Sequence, residues 1–157
     1  HQRSIGSKST LQDLEKWVNT LIETNDWGVG MTHGLTYGYD AFRNPQRLWD
    51  HLDQVKAREN EIWVGTFREV VSYIKEREET KLEVVNKKNT LLITPELKLD
   101  QELFVEPLTM VITGKEIKKV TVKQGKRRLP VQITDDKVLF DFDPYGGMIK
   151  VTLKIQK

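Results

Sequence analysis

The sequence predicts an α/β portion followed by an all-β module, and three observations carry that expectation. Up to about residue 79, apolar residues at helical spacing alternate with short apolar runs of strand length. Beyond that point apolar residues recur at every second position, punctuated by turn-forming residues. The charge changes at the same place. Residues 1–79 hold 10 Lys and Arg against 13 Asp and Glu, a net of −3, and residues 80–157 hold 15 against 10, a net of +5. Two units with different surfaces, 1–79 and 80–157, are expected.

The first helix follows Ser9 or Thr10, either of which can cap it, and Ser9 with Gln12 fits a capping box. Leu11, Leu14, Trp17, Val18, Leu21 and Ile22 then form one apolar face. "ETNDWG" breaks the helix, and "WGVGMTH" is a short buried strand. "GLTYGYDAF" mixes glycines and aromatics and is expected to be a loop. Asn44 as cap and Pro45 at the first helical position open the next helix, with Leu48, Leu52 and Val55 inward and Trp49 alongside. "EIWVG" is a second short strand. Thr66 and Glu69 form a capping box for a helix through about Arg77, with an apolar stripe of Phe67, Val70, Val71 and Ile74. Helices alternating with strands imply a parallel sheet or part of an α/β barrel. Two such units cannot close a barrel and would leave apolar edges open. The first half is therefore expected to be the end of a larger α/β domain, completed by a further segment or another chain.

In the second half Val120–Val122, Val138–Phe140–Phe142 and Ile149–Val151–Leu153–Ile155 each place apolar side chains on one face. Thr113-Gly114, Gln124-Gly125, Asp135-Asp136 and the segment Asp143 to Gly147 supply turns. The pattern is that of an antiparallel β-sandwich.

Composition bounds the function. At 31% charged and 38% hydrophobic, the chain is globular and not disordered. No apolar run approaches the roughly 20 residues of a membrane span, and "HQRSIGSKST" is too polar for a signal peptide. The absence of cysteine excludes disulfides and thiolate metal sites. His1, His33 and His51 lack the short spacing that puts two metal ligands on one face. No nucleophile motif or phosphate loop is present.

His33 is the candidate with chemical interest, because it falls where a parallel strand would end. Its side chain titrates near neutrality and could pass a proton to a leaving group. It could equally be a packed strand-end histidine. Gly30 and Gly34 flank it, and Tyr37, Tyr39 and Asp40 follow in a loop able to line a cleft. Tyr37 and Tyr39 are candidates to stack on sugar rings. His51 is expected at a surface or boundary of its helix. Residues 115–128 hold seven basic side chains (Lys115, Lys118, Lys119, Lys123, Lys126, Arg127, Arg128) against Glu116. With no aromatic interleaved for base stacking, a solvent-facing hairpin whose lysines block edge pairing is expected rather than a nucleic-acid site.

"WGVGMTHGL", the aromatic–glycine loop and "RLWDHLDQVKARENEIWVGTFREVVSYIKER" together resemble the C-terminal part of a polysaccharide deacetylase, the carbohydrate esterase family with a chitooligosaccharide-deacetylase homology domain. The β-rich segment, including "DFDPYGGMIKVTL", resembles the appended C-terminal module of some members. The likeness covers roughly residues 9–157. It implies the C-terminal portion of a distorted (β/α) barrel plus an antiparallel β-sandwich module, and a carbohydrate polymer or oligosaccharide as partner. It further implies one divalent metal, usually zinc, that activates water against an N- or O-acetyl carbonyl. The motif histidine, here His33, would be the general acid, with "Val-Gly-Met-Thr-His" in place of the family's Leu-x-Leu-His. Tyr37 and Tyr39 are placed at the substrate rim as an expectation of this chain alone. The family's Asp-Asp and His-x-x-x-His metal motifs are absent, and Arg3 cannot be matched to its arginine motif. No metal ligand is therefore carried over, and the metal-bearing N-terminal half of the catalytic domain is expected elsewhere. The alternative is a non-catalytic carbohydrate-binding or interaction module. Neither nucleic acid nor membrane is an expected partner, and a secreted or periplasmic location is what the family's polymeric substrates imply.

Overall fold

The computed structural model describes residues 2–114, 117–134 and 136–155, so His1, Lys115, Glu116, Asp135, Gln156, Lys157 and the side chains of Ile117, Lys118, Lys154 and Ile155 lie outside the described residues. The chain forms two compact units, His1–Gly65 and Thr66–Lys157. The helix that opens with Thr66 belongs to the second unit.

In the first unit, strand β1 (Gln2–Ser4) runs parallel to β2 (Val29–Met31), with Arg3 opposite Gly30. The polar start of the chain thus includes a strand. Helix α1 (Leu11–Thr24) makes the connection. Its capping box is Thr10 with Asp13, not Ser9 with Gln12. The Ser9 hydroxyl is engaged one turn earlier, accepting the Gly6 N–H at 3.1 Å. Asn25, in the left-handed region at φ 53°, ends the helix. Leu14 and Val18 are buried, and Leu14 joins Ile5 and Phe42 in a small core against which Leu48 packs.

Helix α2 (Gln46–Lys56) starts after Pro45, and the Asn44 side chain accepts the Gln46 N–H at 3.1 Å. Its inward face differs from the expected one. Leu52 is exposed and His51 is buried, which corrects the boundary placement of that histidine. The cause is polar: Arg47 donates to the carbonyls of Ser7 (3.1 Å) and Ser9 (2.9 Å), and Arg58 to the Asn19 side chain. The Arg47 anchor, one turn before His51, holds that face of the helix toward the Ser7–Ser9 backbone. "EIWVG" is irregular rather than a strand, so among the described residues the parallel sheet stops at two strands and no barrel closes.

The second unit opens with α3 (Phe67–Glu79), whose Thr66–Glu69 capping box is present. Phe67 and Val71, expected in its apolar stripe, are exposed, while Ser72 and Glu76 are buried and Tyr73 packs against the main core. The remaining strands are β3 (Lys81–Lys87), β4 (Thr90–Glu96), β5 (Leu108–Thr113), β6 (Ile117–Gln124), β7 (Arg127–Leu129), β8 (Gln132–Ile133), β9 (Lys137–Phe142) and β10 (Ile149–Ile155). They form a five-stranded sheet, β3-β4-β10-β6-β7, and a three-stranded sheet, β5-β9-β8. All pairings in both are antiparallel. One core draws on both sheets: Ile93, Val120, Val122, Leu129, Ile149 and Val151 from the first, and Leu108, Val138, Phe140 and Phe142 from the second. The alternation expected of these strands is thus realised through Leu153, and the Ile155 side chain lies outside the described residues. The molecule is mixed helix and sheet, and its sheets are mostly antiparallel.

Candidate functional site at the carboxyl ends of β1 and β2

His33 follows β2 by two residues and is exposed. The parallel pair continues past its last register position through the Ile5 N–H, which donates to the Met31 carbonyl at 2.8 Å. Both strands therefore deliver their following loops to the same end, the end where open α/β sheets hold ligands. Gly6 and Ser7 arrive from β1, and Thr32, His33 and Gly34 from β2.

The loop after His33 is pinned at several points. Phe42 donates its N–H to the Gly34 carbonyl at 3.2 Å, closing it at the base. Asp40 accepts from Ser7 twice, from the hydroxyl at 2.6 Å and from the N–H at 3.2 Å. The Ser7 hydroxyl bond lowers the Asp40 carboxyl below its ordinary pKa, and the nearby His33 adds to the effect. A Cβ at Gly6 would collide with the Asp40 carbonyl oxygen, and one at Gly34 with the Tyr37 carbonyl oxygen. The two glycines thus let backbone approach backbone where the loop turns over the sheet end.

His33 meets Tyr39 edge-on, with ring centroids 5.4 Å apart and planes at 78°. Tyr37 and Tyr39 are 88% and 83% exposed, so neither ring is a core residue. The structure brings together His33, Tyr39 and Asp40, with Tyr37 in the same loop. Ser7, which holds Asp40, carries no signal in the sequence: it lies 33 residues from its partner. What the site offers chemically is an exposed imidazole, a carboxylate fixed beside it and two presented aromatic faces.

His51 is elsewhere, buried on α2, and burial pushes its pKa below 6.5. Its Nδ1 has no hydrogen-bond partner among the described residues. No group of three or more His, Asp or Glu side chains among the described residues could hold a metal ion. The expected zinc therefore finds no ligand set in them.

The basic run forms the solvent-facing hairpin expected of it, β6 paired to β7, but departs from the expected edge role. β6, which carries Lys119 and Lys123, lies inside the five-stranded sheet between β10 and β7. Its lysines do not guard an edge. Arg127 and Arg128 alone of the described residues of the run stand on an edge strand, β7.

No family model, curated protein or solved structure matches this chain.

Proposed function

We propose that this chain is the C-terminal part of a metal-dependent carbohydrate deacetylase or acetyl esterase, with a β-sandwich module appended to the end of a (β/α) barrel. His33 is its general acid, and Tyr37 and Tyr39 form the sugar-binding rim. The observation that carries the reading is the placement of an exposed His33 at the carboxyl end of a parallel strand, beside Tyr39 and a loop pinned by Asp40 and Ser7. In this reading the imidazolium donates its proton to the departing amine nitrogen or alcohol oxygen as the acetyl group leaves. The exposed tyrosine rings offer flat faces on which pyranose rings stack. Metal ligands and the attacking water belong to residues beyond this chain, joined at the open edges of β1 and β2.

Acetate release from acetylated chitooligosaccharides and acetylxylan, by the intact protein containing this chain, tests the proposal. His33→Ala is expected to lower the rate by about 10²–10⁴-fold. Turnover close to wild type in that variant overturns the assignment.

The exposure of Tyr37 and Tyr39 also favours a second reading, non-catalytic carbohydrate binding. It predicts glycan binding without acetate release, lost when both tyrosines are replaced by alanine.

A further inference from the structure

The outward face of the five-stranded sheet is set by register. Val120, Val122, Ile149, Val151 and Leu129 point into the core, so the alternate positions point out. One outward row runs across the sheet as Arg128, Lys123, Lys150, Leu92 and Val85. The next row is Thr121, Thr152, Thr90 and Lys87. Lys119 stands two positions further along β6. Arg128, Lys123, Lys150 and Lys119 are exposed, and none is in an ion pair among the described residues.

Lys123 is therefore flanked on both sides by directly opposed cations, Arg128 and Lys150. Like charges directly opposite one another destabilise a sheet. Edge protection does not account for the arrangement, because β6 and β10 are interior strands. The outward acidic positions of this sheet, Glu83 and Glu96, are remote from it. They lie on β3 and β4 beyond the Thr90–Ile93 stretch that pairs with β10. Repulsion of this kind is relieved by an anion bound across the row.

We propose that this face binds an acidic polysaccharide, one carrying carboxylate or sulfate groups along an extended chain. Strands spaced about 4.8 Å apart put the Cα atoms of Arg128, Lys123 and Lys150 along roughly 10 Å, and Lys119 lies about 13 Å down β6. That is a flat cationic field suited to an extended polymer. The threonine row beside it supplies hydroxyl donors and acceptors for sugar hydroxyls. The outward positions of the five strands carry no aromatic residue on which bases could stack, which sets the face apart from single-strand nucleic-acid platforms. The proposal stands independently of His33 and of the deacetylase reading.

Affinity electrophoresis of the full chain through gels containing polygalacturonate, chondroitin sulfate or neutral dextran tests it, with titration of a single-stranded DNA oligonucleotide alongside. Wild type is expected to be retarded by one or both acidic polymers and not by dextran; polygalacturonate carries carboxylates alone and chondroitin sulfate carries both groups, so retardation by chondroitin sulfate only marks recognition of sulfate. Between about 50 and 200 mM salt the binding should weaken on the order of tenfold to a hundredfold. The double variant Lys123→Gln/Lys150→Gln should bind at least about tenfold more weakly. Its melting temperature should be unchanged or higher, since repulsion within the row is removed. Absence of retardation by both acidic polymers overturns the proposal. So does equal retardation of the variant, or tighter binding to DNA than to either polysaccharide at the same salt.

Discussion

Glu76 on α3 accepts the Glu106 backbone N–H at 3.1 Å with one carboxylate oxygen, while its other oxygen, also buried, has no hydrogen-bond partner among the described residues. The side chain is 0% exposed. Burial raises its pKa above 4.5, the Glu106 N–H opposes that shift, and the carboxylates of Glu106 and Asp143 add to it. A raised folded-state pKa means the folded protein holds this proton more tightly than the unfolded chain. Its stabilising contribution is complete below about pH 4.5 and is lost as pH rises through the folded value. Glu76→Gln keeps the acceptor for Glu106 and removes the charge. Denaturant titrations at pH 5 and 8 should show the variant gaining stability relative to the wild type as pH rises. An unchanged pH slope in the variant would place the titration on another group.

His51 should act in the opposite sense in the first unit. Burial lowers its pKa below 6.5, so the unfolded chain takes up the proton more readily. The stability it leaves intact above 6.5 falls as pH drops toward the lower folded value. His51→Leu, which also removes the unpartnered Nδ1, is expected to flatten that acid limb. Thermal melts across the acid range, followed by a probe in the first unit such as Trp17, would show it.

Gly6→Ala drives a methyl group into the Asp40 carbonyl oxygen. The cost of such overpacking is about 1–3 kcal/mol. The loop bearing Tyr37 and Tyr39 should also loosen, with faster amide exchange at Ser7 and Phe42. Asp40→Ala should loosen the same loop without the steric term, and a loop equally protected in both variants would contradict the pinning described above.

Leu14 is fully buried in a core of three residues, Ile5, Leu14 and Phe42. Leu14→Ala should cost about 2–5 kcal/mol. The loss is expected in the first unit, to whose core Leu14 belongs. Amide exchange that rises in residues 1–65 and stays constant in the core strands of the second unit is the expected result.

What the sequence made legible follows the physics of each signal. The two-residue period of Val138, Phe140 and Phe142 is enforced by the pleat, and it located β9 correctly. The Thr66–Glu69 box is a contact across three residues and was equally readable. Sheet order is a long-range property, so nothing local showed that β10 separates β4 from β6. The inward face of α2 was misread because hydrophobic spacing favoured Leu52, whereas the Arg47 hydrogen bonds to the Ser7 and Ser9 carbonyls anchor the face that carries His51. "EIWVG" looked like a strand from its short apolar run, but no strand among the described residues pairs with it. At the candidate site, the position of His33 after a strand was legible. The Asp40–Ser7 latch was not, since its partners meet only once β1 and β2 have paired.

Strand β10 ends at Ile155 and lies in the middle of the five-stranded sheet, paired to β4 on one side and β6 on the other. During synthesis the ribosome releases β3 to β9 before this strand is available. Until it emerges, β4 and β6 lack their shared neighbour, and the core lacks Ile149 and Val151. A nascent chain stalled before Ile149 would be a sticky intermediate in need of chaperone protection. Completion of this unit is thus an event that waits for the last strand, however early the preceding ones are made.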